Sequence, residues 1–338
     1  MSNVEIAALK LMVRGAYDLQ KLRIQCGLRL CANFRAKLKD IEDEEEDKDE
    51  DLEKEESEEG EASETPKEKE ELSSKAKNLI KTLKASYQRL TDGIAKNRNL
   101  PSEEGFNGDE LISAYSELVL VDQYLKLENQ EKLHFNQMES TLNKIPIYRE
   151  YLRHEIGIGP AMASVLITYF DPAKAIYPSQ FWKYAGLDVG PDGMGRSRRQ
   201  EHLIEVSYLD KEGNKRTKMG LTYNPFLKTK LSKVLTTSFL RSGSRWRQVY
   251  DGYKHRLETD PAREKLTVIA WKKRKKAGED IKKLWTPGRI HNASMRYMLK
   301  MFLLELWTKW RTIEGLPVVG SYHEVVMGHK HHGTRKQA

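Results

Sequence analysis

A chain of 338 residues, 38% hydrophobic and 32% charged, carries material for two or three domains and is more polar than an average globular domain. No apolar run approaches the roughly 18 residues that cross a bilayer, which excludes a helical membrane span. The net charge of +8 hides two opposed regions: residues 40–71 hold 20 acidic and 4 basic residues, so the remainder holds 54 basic against 30 acidic. That basic remainder favours a polyanionic partner, gripped through phosphate contacts that weaken steeply with salt.

The N-terminus, M-S-N-V-E-I-A-A-L-K, lacks the basic-then-apolar layout of a signal peptide, so a cytoplasmic, nucleoid-associated protein is expected. From about Val4 to Lys39 the chain reads as one helix, forming an N-terminal element over 1–39. Leu9, Met12, Ala16, Leu19, Cys26 and Leu30 fall near heptad spacing, with Arg23 interrupting. Scattered basic residues fit a helix packed on another helix or a nucleic-acid arm. Cys26 and Cys31, five apart, do not share a helical face and read as small hydrophobes of a reducing compartment. Residues 40–71 form a low-complexity acidic insert with too few apolar residues to build a core. It serves as a solvated linker or as a nucleic-acid mimic shielding the basic surface.

Residues 72–144 read as a helical bundle or coiled coil. Leu72, Ala76, Leu79, Leu83, Tyr87, Leu90 and Ile94 make one stripe; Leu111, Tyr115, Leu118, Val121 and Leu125 make another, on a helix expected over Asp109–Asn143. A loop with Pro101 and Gly105-Phe106-Asn107-Gly108 separates them.

From residue 145 to 338 the texture changes. L-R-H-E-I-G-I-G-P-A-M-A-S-V-L over Leu152–Leu166 has the form of helix, tight turn, helix. Gly157 and Gly159 let the backbone turn, Ile158 plugs between the helices, and Pro160 suits a first helical turn. Outward N–H groups at such a helix start make an anion site, the helix-hairpin-helix grip on a nucleic-acid backbone. An ordinary glycine turn between core helices is the alternative. Y-P-S-Q-F-W-K-Y-A-G-L follows over Tyr177–Leu187, then the loop V-G-P-D-G-M-G-R-S-R-R over Val189–Arg199. Alternation over Leu203–Leu221, with a turn at Asp210–Lys215, predicts a small β-hairpin. A helix starts at Asn224-Pro225, a basic and aromatic segment spans Arg245–Arg256, and Lys272–Lys276 is the densest basic run. The last strong helix is expected over His291–Ile313. The tail holds His323, His329, His331 and His332, irregularly spaced and without cysteine, so no metal site is assigned.

The run G-I-G-P-A-M-A-S-V-L, then Y-P-S-Q-F-W-K-Y-A-G-L, then a Gly/Arg-rich loop, resembles the C-terminal domain of the DEDD-type insertion-sequence transposases. That family includes the Piv invertase and the bridge-RNA-guided recombinases. R-I-H-N-A-S-M-R-Y resembles its closing arginine-bearing helix, and L-K-L-M-V-R-G-A-Y-D-L-Q-K-L-R its preceding coiled coil. The resemblance adds to what the elements themselves predict, a mainly α fold: an N-terminal helical bundle or coiled coil, then an α-helical C-terminal domain with a helix-hairpin-helix and one small β-hairpin. It implies DNA contacts at Gly157, Ile158, Gly159, Pro160, Ala161, Lys183, Arg196, Arg198 and Arg199. It implies DNA as partner and guide RNA as a further one; assembly of a homo-oligomer is expected from the helices.

Two departures bear on chemistry. The family's RuvC-like half, whose acidic residues bind magnesium, is absent here or carried on another chain, so no cofactor is expected in this one and Mg2+ only with such a partner. The family's nucleophilic serine sits in an S-G pair; here Asp192-Gly193 or Met194-Gly195 takes that place, and Ser197 is the loop's only serine. Ser197 is therefore either the nucleophile, with Arg196, Arg198 and Arg199 holding the phosphate, or a serine that merely hydrogen-bonds one. Glu155 stands where the hairpin pattern has an aliphatic residue. The expected function is a transposase-like DNA-binding protein of DNA transposition or site-specific recombination in a mobile element. A non-catalytic accessory protein binding DNA or RNA backbone is the alternative, and an oligomeric scaffold a third reading.

Overall fold

The structure, a computed structural model, describes residues 3–34, 37, 72–91, 100–190, 192–279 and 284–319. The acidic insert and the histidine tail lie outside the described residues. The chain is mainly helical, with one small antiparallel two-stranded sheet. Two compact units divide it, one of residues 8–140 and one of residues 141–319 together with 3–7. Among the described residues no helix is long and apolar enough to cross a membrane.

Three long helices build the first unit: α1 (Asn3–Phe34), α2 (Ser74–Thr91) and α3 (Tyr115–Leu142). Their stripes meet in one core, with Leu30 and Phe34 from α1, Ile80 and Leu83 from α2, and Leu118, Val121 and Tyr124 from α3. Each such side chain removed from water contributes about 1.5–3 kcal/mol. Arg23, which interrupts the α1 stripe, ion-pairs with Glu131 of α3, and its Nη1 donates to the Tyr124 hydroxyl at 3.3 Å. Gln20 donates to the same carboxylate at 3.2 Å. The polar position in the stripe is thus matched across the bundle. Cys26 is buried and Cys31 half-buried, and no disulfide joins them.

The third helix begins at Tyr115, six residues later than the stripe suggests. Asp109 accepts the N–H groups of Leu111 and Ile112 at 2.9 and 2.7 Å, closing a local turn that competes with helix. Glu117 then reaches back to the N–H groups of Ser113 and Ala114, at 2.9 and 3.1 Å, and fixes the helix start.

The second unit is wound around one long helix. Its elements are α4 (Pro146–Glu150), α5 (Pro160–Tyr169), α6 (Pro178–Tyr184), β1 (Ile204–Leu209), β2 (Lys215–Gly220), α7 (Pro225–Thr229), α8 (Thr236–Arg241), α9 (Arg245–Thr259), α10 (Val268–Lys276) and α11 (Pro287–Ile313). Proline opens α4, α5, α6, α7 and α11, where a missing N–H costs nothing. A π-helical stretch, Lys230–Leu235, joins α7 to α8 without a break, so residues 225–241 form one rod.

The α11 helix starts at Pro287, earlier than the apolar stripe shows, because Thr286 caps it by accepting the Arg289 N–H at 3.1 Å. It buries Met298, Leu299, Phe302, Leu303, Leu306, Trp307 and Trp310 and packs against α6 and α9. Phe302 meets Phe239 and Trp246 edge-on, with ring centroids 5.3 and 5.5 Å apart. The Trp307 indole donates to the Ala175 carbonyl at 2.7 Å, tying the α5–α6 loop to the far end of α11. Arg311 serves the same loop, donating to the carbonyls of Pro172 and Ala175.

The hairpin pairs Ile204–Leu209 with Lys215–Gly220, Val206 facing Lys218. Asp210 accepts from Glu212 and Asn214 across the turn at 3.0 and 2.9 Å, and Gly213 takes φ +84°. Most of its residues are exposed, so it packs no core of its own. A second, two-residue pairing, β3 (Glu264–Lys265) parallel to β4 (Leu284–Trp285), went unpredicted because two residues carry no alternation.

Candidate nucleic-acid interface

Two elements singled out by the sequence, the G-I-G turn and the arginine loop, dock on the same rod of residues 225–241. At the first, Gly157 takes φ +96° and its carbonyl accepts the Ser238 hydroxyl at 2.7 Å. Ile158 is buried, as a plug should be. Gly159 is the N-cap of α5 with φ −88°, so only Gly157 needs glycine's conformational freedom.

Three features of the turn differ from expectation. The arm before it is not a continuous helix: α4 ends at Glu150 and a 3-10 turn, Leu152–His154, follows, because Tyr151 breaks the helical backbone with φ −136°. The Ile158 N–H is spent inside the turn, on the Glu155 carbonyl at 3.1 Å. Gly159 stands exposed at the positive end of the ten-residue α5, with Pro160 and Ala161 half-exposed behind it. Glu155 is a structural acceptor. Its carboxylate takes Arg245 at 2.6 Å and the Trp246 indole N–H at 3.0 Å, clamping the turn to the start of α9. Glu305 of α11 holds the same guanidinium at 2.6 Å. The nearest carboxylate to the turn is therefore already neutralised.

The Tyr177–Leu187 motif is α6 with a glycine stop. Gly186 takes φ +65°; the Leu187 N–H returns to the Trp182 carbonyl at 2.9 Å and the Gly186 N–H to Lys183 at 3.1 Å. A Cβ on Gly186 would lie 2.7 Å from the Tyr223 ring, so the same residue also admits the lead into α7. Lys183 is exposed on this helix.

The chain then makes a tight reversal. Val189 bridges Gly195, the Gly190 N–H donates to the Met194 carbonyl at 2.7 Å, and the Arg196 N–H returns to Asp188 at 3.2 Å. Arg196 pairs with Asp188 at 2.8 Å. The Lys228 ammonium of α7 donates to the Arg196 carbonyl and pins the loop to the rod. Lys228 and Ser238 lie ten residues apart, so the loop and the G-I-G turn are anchored roughly 15 Å apart along one helical axis.

Within the loop Ser197, His202 and Asp192 come together. The Ser197 Oγ is 3.2 Å from His202 Nδ1, and His202 Nε2 is 3.2 Å from Asp192 Oδ2. The Ser197 backbone N–H also donates to Nδ1, at 3.0 Å. A backbone N–H can only donate, so Nδ1 is unprotonated and the imidazole proton sits on Nε2, facing Asp192. His202 is buried, on a 3-10 turn Gln200–His202, and approaches the loop because Gly190 has no Cβ: one there would lie 2.7 Å from Nε2. Arg199 spans the cluster, donating to Ser197 Oγ at 3.0 Å and to Asp192 at 2.9 Å. Burial raises the Asp192 carboxyl, but the Met194 N–H, His202 and Arg199 outweigh it and hold its pKa below the ordinary value. Arg198 is exposed beside them.

Asp192, Glu201 and His202 are close enough to share a metal ion. They do not fit magnesium, which takes six oxygens, and the Arg199 guanidinium already occupies the Asp192 carboxylate.

The expected DNA-contacting residues therefore fall into two groups on one unit, the turn Gly157–Ala161 and the loop Arg196–Arg199, with Lys183 separate on α6. Asp192 and His202 were not singled out as partners of Ser197: a spacing of five on either side carries no periodic signal. Arg289 was also missed. It is buried over the Trp285 ring, 4.3 Å to the centroid, and its guanidinium donates to the Leu284 carbonyl at 2.7 Å, bracing the start of α11. The basic, aromatic segment Arg245–Arg256 is α9, and its aromatics are largely spent on packing: Trp246 and Tyr250 are buried, and Tyr253 stacks on Tyr297 at 4.0 Å. No family model, no curated protein and no solved structure matches this chain.

Proposed function

We propose that this chain is a transposase-like DNA-binding protein acting in transposition or site-specific recombination of a mobile element, and that its second unit grips the phosphodiester backbone. The observation that carries the reading is Ser197, set in an arginine loop against an imidazole whose proton is turned away by Asp192. That tautomer makes Nδ1 an acceptor 3.2 Å from Ser197 Oγ, able to take the serine proton once the Ser197 backbone N–H that it holds at 3.0 Å is released. In the step this supports, Ser197 Oγ attacks phosphorus and its proton passes to His202 Nδ1. The Oγ–P bond forms as the bond from phosphorus to the departing sugar oxygen breaks. Arg196, Arg198 and Arg199 oppose the charge that develops on the non-bridging oxygens. The resemblance to the DEDD-type transposases, carried by three motifs in order, supplies the substrate class. Guide RNA and homo-oligomers through the helices belong to the same reading.

A second reading, a backbone-binding accessory protein without chemistry, is favoured by Arg199, which fills one hydrogen-bonding position of Ser197 Oγ at 3.0 Å. Strand-exchange and binding assays on the same DNA, with any partner chain supplied, separate the two. Under the first reading Ser197→Ala abolishes strand exchange and leaves DNA affinity within about twofold. Strand exchange undiminished in Ser197→Ala sinks the catalytic role and leaves the binding role standing.

A further inference from the structure

Beside the serine loop the fold gathers cations that it does not neutralise. Arg296 and Lys300 lie one turn apart on α11, a spacing at which like charges repel. Gly195 makes room for the first: a Cβ there would stand 2.6 Å from the Arg296 guanidinium. Lys228 reaches the same loop from α7, donating to the Arg196 carbonyl with its ammonium 4.6 Å from the Tyr223 ring centroid. The Lys300 ammonium lies 5.6 Å from the Trp182 ring centroid. Arg198 is exposed at the edge and acts on Lys228.

The acid that acts on Lys228 and Lys300 is Asp188. Its Oδ2 is held by Arg196 at 2.8 Å, and its Oδ1 is buried and accepts no hydrogen bond. Among the described residues no carboxylate forms an ion pair with Lys228, Arg296 or Lys300. Burial depresses the pKa of all three, and Arg296 depresses both lysines further, taking Lys228 down to about 8. Cations withdrawn from water without counterions cost stability, and a fold under no other constraint replaces them with apolar residues of similar volume. An oxyanion placed among them removes the repulsion and supplies the missing charge.

We infer that Lys228, Arg296 and Lys300, with Arg198 at the rim, form a seat for one phosphate-type oxyanion next to Ser197. The naming of that oxyanion as a backbone phosphodiester rests on the transposase-like reading above; the seat itself does not. Arg296 offers a planar fork to two oxygens, and the two lysines add point charges. The placement puts a bound phosphate beside the serine rather than on the G-I-G turn.

The test uses the full chain and its Arg296→Met and Lys300→Met variants, which keep most of each side chain's apolar stem. Inorganic phosphate is titrated at constant ionic strength against chloride while the thermal midpoint is read, and duplex DNA affinity is measured against salt. Phosphate should raise the midpoint of the unchanged chain and have little effect on either variant. Both variants should melt above the unchanged chain without ligand, which loss of a structural contact would not produce. The slope of log affinity against log salt should become less negative by about 1 per cation removed. A phosphate response equal in all three proteins overturns the seat, and DNA binding that persists alongside it leaves the nucleic-acid reading intact. A phosphate response in the unchanged chain only, with no DNA binding, supports the seat and overturns that reading.

Discussion

Replacing Gly157 by alanine separates the two glycines of the G-I-G turn. At φ +96° an alanine pays about 1–2 kcal/mol for the left-handed backbone. Its Cβ would also stand 2.9 Å from Phe239 Cδ1 and 2.9 Å from the Ser242 hydroxyl. Ser242 can turn away. Phe239 cannot, being fully buried with Phe302 and Trp246 against it at 5.3 and 6.1 Å. Overpacking of this kind costs about 1–3 kcal/mol, offset by about 0.4–1 kcal/mol from the stiffer unfolded chain. The net loss is about 2–4 kcal/mol. Gly159→Ala meets nothing within 4 Å at an ordinary φ and should change stability by about 0.5 kcal/mol or less. All 6 tryptophans lie between Trp182 and Trp310, so tryptophan fluorescence in urea reports the second unit. With a urea dependence of about 2 kcal/mol per molar, Gly157→Ala should lower the midpoint by roughly 1–2 M. Equal midpoints for the two variants would refute the assignment of the strained position to Gly157 and its packing to Phe239.

Other substitutions probe the remaining joints. Lys228 has a folded pKa of about 8 against an ordinary 10.5, so between those values the folded chain binds fewer protons than the unfolded one. Its contribution to stability therefore rises with pH across that window, by up to about 3 kcal/mol, and Lys228→Met should remove that rise from urea midpoints compared at pH 7.5 and 10. Anion binding runs the other way, weakening above about pH 8 as Lys228 loses its charge amid Arg296, Arg198 and Asp188. Glu155→Leu strands the Trp246 indole and leaves Arg245 to Glu305 alone; a loss of about 1–3 kcal/mol in the second unit is expected, and an unchanged urea midpoint would contradict the clamp. Arg23→Met leaves Glu131, 10% exposed, without its main partner, and should cost the helical bundle about 2 kcal/mol, read by hydrogen exchange of α1 and α3 amides.

Long-period features were readable in the sequence because one physical cause dominates each. The stripes of α2 and α3 repeat over several turns, and Ala76, Leu83, Leu118 and Val121 are buried accordingly, although Ile80, which the stripe passes over, is buried where Leu79 is only half-buried. The Ile204–Gly220 hairpin was readable from alternation flanking an Asp/Gly turn. What escaped were short-range competitions and long-range meetings. The third helix starts late because the Asp109 side chain captures two N–H groups, a choice invisible to periodicity. Glu155 looks like a flaw in an apolar pattern until Arg245 and Trp246, some ninety residues on, come to rest against it. Arg23 looks like a break in a heptad until Glu131 is seen opposite. At the site, Ser197 was legible from its arginines, while His202 and Asp192 reach it only through a tight reversal at Gly190. Arg296 and Lys300 had helical spacing to announce them, but nothing in the sequence says that Lys228 arrives from another helix.

A backbone grip can be measured by titrating the full chain with duplex DNA of unrelated sequences between low and moderate salt. Affinities should be similar for all sequences and fall steeply, linearly in log affinity against log salt. Affinity that stays flat across that salt range would contradict it.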